Sequence, residues 1–222
     1  MITIIVIDIL SYEQKEEEAI RFLPTVPTVK TTTPSTTTTS PTRRLSCIFV
    51  GDVYNYDNDI SAYDKEKELL SQVSRKIFAV PKLYTQLALW AYGYTNYPTN
   101  ILSTLNNTAK NQTEFDDLIQ KMGYASIAEP ISTRKAIEII NEMVEIQLNC
   151  LVFLTAQKAT DLLPIIDPIN KAIETIVAVG LSETQPTSIV PVGGKVVSVP
   201  YEFHDAHVGK IVEAITESLR ER

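Results

Sequence analysis

Little in this chain belongs to the residue types that build specialised chemistry. Only two of its 222 residues are cysteine, Cys47 and Cys150, too few and too far apart for a framework of staples or for a zinc box of the Cys-x-x-Cys kind. Seven glycines leave little material for phosphate-cradling loops. Gly193-Gly194-Lys195 lacks the longer Gly-x-x-x-x-Gly-Lys-Ser/Thr frame and reads as a turn. The two histidines, His204 and His207, stand three apart beside a predicted helix start without a third ligand, which reads as an exposed helix turn. Basic residues are also scarce. Twenty Lys and Arg against 27 Asp and Glu give a formal charge of −7, and no basic cluster exists to displace counterions, so no nucleic acid is expected as a partner. No cofactor follows from these residues. What the chain does have is 44% apolar residues, enough for a core.

Composition divides the chain. Between Pro24 and Thr42, 16 of 19 residues are Thr, Ser or Pro, with Lys30 the only charge. Such a segment lacks the apolar side chains to offset backbone ordering, so 24–42 reads as a linker, either a plain disordered spacer or a stalk carrying O-linked sugars. Ahead of it, 1–23 joins the apolar run MITIIVIDIL to an acidic stretch. It has no basic leading end or small-residue cleavage site, and it is too short and too interrupted by Asp8 to span a bilayer. It reads as a remnant segment, and no membrane insertion is expected.

From Arg43 onwards short apolar runs alternate with amphipathic stretches. CIFVGDV (47–53) is a buried strand, followed by a helix over about 60–77 with Ile60, Tyr63, Leu70, Val73 and Ile77 on one face. LYTQLALWAYGY (83–94) is a strand, and NILSTLN (100–106) reads as its antiparallel partner across the turn TNYPT. Further helices are expected over 114–122, 133–147, 168–174 and 205–219, and strands over 149–156 and 175–182, with a hairpin-like piece ending in KVVSVPY. Ser132 can cap the helix that starts at Thr133. Strands alternating with helices imply parallel crossovers, so the fold class is α/β, a doubly wound, mostly parallel sheet with one antiparallel edge strand and helices on both faces. Ligands of such sheets bind beyond the carboxyl ends of the strands, which points to the residues after CIFVG, LWAYG, CLVFL and IVAVG.

This order of pieces resembles the von Willebrand factor type A domain family over about Leu45 to Leu219. The residues that carry the resemblance are CIFVGD, LALWAYG, ISTRKAIEII, LVFLTA, IVAVGLSETQPTSIVP and HDAHVGKIVEAI. A Thr-rich stalk ahead of such a domain is similar to secreted nematode proteins in which it follows another extracellular module. The resemblance implies a divalent cation held at the sheet's upper edge by oxygens from three loops. The first loop, normally Asp-x-Ser-x-Ser, stands here as Asp52, Val53, Tyr54, Asn55, Tyr56. The second aligns Ile131 where a Thr belongs, with Thr133 two residues later, and the third offers Ala156 in place of an aspartate. A degenerate site without metal is therefore expected; the alternative is a rearranged site of Asp52, Asp57, Asp59 and Thr133. Asp52 is otherwise free to cap neighbouring backbone. The resemblance also makes Cys47 and Cys150 neighbours at the starts of adjacent parallel strands, where two buried thiols are expected over a bond of demanding geometry.

Function is then expected at the rim. Tyrosines supply rigid area with a polar tip, and Tyr54, Tyr56 and Tyr97, with Asp52, Ser132 and Thr133, are the candidate partner-binding residues. Trp90 and Tyr92 are expected to pack under a helix. The leading function is a non-enzymatic, adhesion-type extracellular module that binds a protein partner through the rim loops. A small-molecule or nucleotide enzyme on a Rossmann-like sheet is the alternative, and a purely structural module the third. No set of nucleophile, base and orienter supports catalysis. Two sequons, at Asn106 and Asn111, are candidate glycosylation sites compatible with secretion.

Overall fold

The computed structural model of the chain describes residues 43–144 and 147–219; the remnant (1–23) and linker (24–42) readings lie outside the described residues. Strand β1 (Arg43–Val53) is paired on one side with the edge strand β2 (Leu83–Gly93) and on the other with β3 (Cys150–Thr155). Beyond β3 follow β4 (Thr175–Gly180) and β5 (Lys195–Ser198), giving the order β2-β1-β3-β4-β5 with every pairing parallel. All six residues of β3 and nine consecutive residues of β1 are buried, so both sheet faces are covered. That is why these strands read as continuous apolar runs instead of alternating ones.

Helix α1 (Ile60–Phe78) starts where the Asp59 carboxylate accepts a hydrogen bond from Ala62 N at 3.1 Å. Its buried Tyr63, Glu66, Leu70, Val73 and Ile77 recur at three- and four-residue steps and form one face. α1 packs against α3 (Gln112–Lys121) and against α5 (Asp205–Thr216), while α2 (Ile101–Leu105) and α4 (Thr133–Asn141) lie against β2.

The α/β, doubly wound reading is correct in class, but the structure changes several pieces. No antiparallel strand joins the sheet among the described residues. The predicted edge strand at 100–106 is helix α2, because Asn100 caps it through Leu102 N at 2.9 Å and Ile101 and Thr104 face inward three apart. A five-residue apolar run does not distinguish the two periods. α4 ends at Asn141 instead of Gln147. Asn141 Nδ2 donates to Ile165 O (2.8 Å) and its Oδ1 accepts from Asp167 N (2.7 Å), tying the following loop to the helix end. No helix forms over 168–174, since Ile169 N and Asn170 N donate to Asn141 O and Met143 O and leave no intrahelical ladder. β5 pairs parallel with β4 and forms no hairpin. Ile60 is exposed.

Cys47 and Cys150 are not free thiols: they are joined in a disulfide. The parallel register sets Cys47 directly opposite Cys150, with their Cα atoms 4.3 Å apart, both fully buried.

Candidate functional site

In the order β2-β1-β3, the chain leaves β1 towards β2 and later returns on the opposite side to form β3. The crevice at the carboxyl ends of β1 and β3 is thus the topological switch point, where open α/β sheets keep their ligands. Asp52, the penultimate residue of β1, stands at this point and is wholly buried.

Its carboxylate is surrounded by N–H donors. Oδ1 accepts from Tyr54 N at 2.8 Å and from Asn55 N at 3.0 Å. Oδ2 accepts from Asn55 Nδ2 at 2.7 Å and, across the switch point, from Ala156 N at 2.8 Å. The Asn55 amide also donates to Thr133 Oγ1 at 2.9 Å, and Thr133 is itself buried at the first turn of α4. The first and third loops therefore meet directly at Asp52, through Tyr54, Asn55 and Ala156, and the second joins them through Thr133 and the Asn55 amide. Burial holds the Asp52 carboxyl above its ordinary aspartate value, and the four hydrogen bonds offset only part of that rise.

A second acid lies beneath. Glu66 of α1 is buried and accepts from Asp52 N through Oε1 at 2.7 Å, while its Oε2 has no hydrogen-bond partner. Burial first, and the nearby Asp52 charge second, hold its carboxyl well above the usual glutamate range. Asp52 has four donors and Glu66 one, so the proton of the pair belongs to Glu66. Tyr92 closes the floor, its hydroxyl donating to Thr155 Oγ1 and Leu154 O, each at 3.3 Å.

The residues at this point do not fit a divalent cation. A carboxylate offers about four acceptor positions, and all are taken by N–H groups of the chain. A hard cation needs roughly six oxygen ligands, whereas the third loop presents a backbone N–H. The rearranged alternative is not assembled either: Asp59 caps α1, Asp57 is exposed, and among the described residues no group of three His, Cys, Asp or Glu is placed to share a metal.

The candidate rim residues separate into two sets. Thr133, not Ile131, is the second-loop residue tied to this network, through the Asn55 amide. Ser132 is half-buried and caps α4 through Lys135 N at 3.3 Å. Tyr54 and Tyr56 are half-buried at the rim, but Tyr97 is buried at 7% exposure and is not a rim side chain; burial pushes its hydroxyl up to about 12. Trp90 and Tyr92 are buried as expected. Asn106 and Asn111 are both exposed at helix ends, and Asn111 caps α3 through Glu114 N at 3.0 Å. His207 Nδ1 accepts from His204 N at 3.0 Å, which makes the pair a helix-start cap.

Sequence reasoning missed Asn55, Glu66 and the continuation of the tyrosines. Tyr54 stacks on Tyr94 (centroids 5.8 Å), Tyr94 meets Tyr124 (5.9 Å), Tyr124 stacks on Tyr63 (5.8 Å), and Tyr63 meets Tyr56 edge-on (5.6 Å). Five rings thus form one continuous array over the loops after β1 and β2. Its polar tips are anchored: Tyr63 OH donates to Asp57 O, Tyr124 OH to Asn58 Oδ1, and Tyr56 OH shares a hydrogen with Ser182 Oγ. Tyr124 lies in a loop with no periodicity to mark it.

Beside Glu66, Tyr56, Ser182 and Tyr201 the top of the sheet carries a cavity of about 10 Å³, the size of one water molecule. A roomier groove of about 660 Å³ lies on the flank, lined by Tyr97, Thr104, Asn107, Asp117, Leu118 and Lys121 among others. No helix among the described residues is long and apolar enough to cross a membrane.

Compared with protein-family models and with curated proteins, the chain finds no match. Among solved structures it is similar to two structures of proximal thread matrix protein 1 (PTMP1) from the mussel byssus, each at 14% identity and a TM-score of 0.45. The alignment covers 79% of this chain and 46% of that one, so the chain spans about half the length of these structures. A likeness of that degree carries no argument about function.

Proposed function

We propose that this chain is a non-enzymatic, adhesion-type module that binds a protein partner through the loops at the carboxyl edge of its sheet, without a shared metal ion, and that it acts outside the cell. The observation that carries the reading is the tyrosine array, Tyr54, Tyr94, Tyr124, Tyr63 and Tyr56, laid over a switch point whose carboxylate is fully satisfied from within. Tyr54, Tyr56, Tyr94 and Tyr124 are half-buried and Tyr63 is buried beneath them, and rigid aromatic area with polar tips is the usual substance of interface anchors. The order of elements agrees with the resemblance to von Willebrand factor type A domains. The Cys47–Cys150 disulfide suits an oxidising compartment, and the Thr/Ser/Pro segment suits an extracellular stalk. A formal charge of −7 steers the module towards basic partners.

Capture of a partner on the immobilised chain tests this. Tyr54→Ala and Tyr94→Ala each weaken the captured complex by roughly tenfold or more if the array is the contact surface. Capture unchanged by both substitutions removes the array from the interface.

A further inference from the structure

The Asn55 carboxamide sits between two oxygens that come from distant parts of the chain. Its Nδ2 lies 2.7 Å from Asp52 Oδ2, at the end of β1, and 2.9 Å from Thr133 Oγ1, at the start of α4. A primary amide has two hydrogens, and both are used, one towards each oxygen. Thr133 Oγ1 in turn lies 3.4 Å from Gln157 Oε1, in the loop after β3. Without the amide this point would hold a carboxylate oxygen, a hydroxyl oxygen and an amide oxygen facing one another, with no Lys or Arg paired to Asp52 among the described residues.

We infer that, of the four N–H donors on the Asp52 carboxylate, the Asn55 carboxamide is the one whose removal opens this site to cations: it alone also reaches Thr133 and so ties Asp52 to Thr133 from within the chain, in the place where a divalent ion would have to sit to bridge the same two oxygens. The amide brings positive hydrogen ends without net charge and is covalently tethered, so the tie does not depend on ion concentration. An incoming ion must displace it, and the freed N–H groups then face a cation instead of an acceptor. This tie holds the β1 loop, and with it Tyr54 and Tyr56 on either side of Asn55, against the start of α4. The inference stands apart from the partner reading, because an ion titration needs no partner and a capture experiment needs no ion.

The test is calorimetric titration of the full chain with MnCl₂, together with thermal melts in EDTA and in Mn²⁺. For the wild-type chain we expect no heat of binding and a melting temperature indifferent to the ion. In Asn55→Asp a second carboxylate replaces the two donor hydrogens. That variant melts below wild type in EDTA, binds Mn²⁺ at least about tenfold more tightly than wild type, and regains stability with it. Asn55→Ser, which removes the amide and keeps a short oxygen ligand, also gains Mn²⁺ binding and decides the matter if Asn55→Asp does not fold. Two results overturn the inference: Mn²⁺ binding by the wild-type chain that Asp52→Asn abolishes, or variants that bind the ion no better than wild type.

Discussion

Glu66 Oε1 lies 2.7 Å from the backbone nitrogen of Asp52, so two buried acids share one short path of contact beneath the switch point. Only Asp52 is surrounded by donors. The Glu66 carboxyl is held well above its ordinary value of 4.5, chiefly by burial. A carboxyl that keeps its proton in the folded state but loses it in the unfolded one costs stability as pH rises. The contribution is intact below the ordinary glutamate value and falls as pH climbs from there towards the folded value. The raised Asp52 carboxyl acts in the same direction. Urea denaturation from about pH 5 to about pH 8 is therefore expected to show declining stability. Glu66→Gln, which mimics the protonated form, flattens that decline; an unchanged slope in the variant assigns the proton elsewhere.

Removing the Asp52 carboxylate orphans several donors at once. Asp52→Ala leaves Tyr54 N, Asn55 N and Ala156 N without their acceptor, two of them at the rim and one across the sheet. A buried unpaired donor costs about 1–3 kcal/mol, so the variant is expected to lose more than about 3 kcal/mol in chemical denaturation. A loss under about 1 kcal/mol would mean the network contributes little.

The Cys47–Cys150 disulfide joins residues 103 positions apart in the centre of the sheet. Chain-entropy arguments give such a closure up to about 4–5 kcal/mol. Cys47→Ala with Cys150→Ala, or reduction of the unfolded chain before refolding, should lower stability by several kcal/mol within that bound. Thiol titration of the denatured, unreduced protein should find no free thiol; two reactive thiols would contradict the bond.

Asn111 has a structural use and a sequon at the same position. Its side chain caps α3 by accepting from Glu114 N and donates to Glu114 Oε1 at 2.7 Å, while Glu114 Oε2 accepts from Lys110 N at 2.7 Å. Asn111→Ala is expected to cost about 1 kcal/mol by losing this cap. Thr113→Ala, which removes the sequon and spares the cap, leaves stability within about 0.5 kcal/mol. In protein made through a secretory route, it also removes any glycan mass from that peptide.

The sheet was legible where burial wrote long apolar runs. CIFVGDV, LALWAYG, LVFLT and IVAVG are strands because both faces are covered, and α1 and α5 announce themselves by three- and four-residue spacing. Short pieces were not. NILSTL has too few residues to choose a period, and its Asn100 cap is a stronger sign than its apolar content. PINKAIE has helical spacing, but its backbone is drawn to Asn141 and Met143, a tertiary preference that no local pattern contains. At the site, the degenerate cation loops pointed to Asp52, Tyr54 and Tyr56. Asn55 has no local mark because its role depends on Thr133, 78 residues away, and Glu66 none because the run Asp64-Lys65-Glu66-Lys67-Glu68 has the composition of a solvated helix face. Tyr97 was misplaced because a tyrosine in a turn after a strand gives no sign of which way its ring folds.

The carboxylate at the switch point is occupied by the chain's own N–H groups. Paramagnetic broadening of backbone amide signals by Mn²⁺ is the sharpest check on this, since the ion erases signals close to wherever it binds. In the wild-type protein the amides of Tyr54, Asn55 and Ala156 are expected to keep their intensities relative to the rest of the sheet. Selective loss of those three signals, restored by Asp52→Asn, would contradict it.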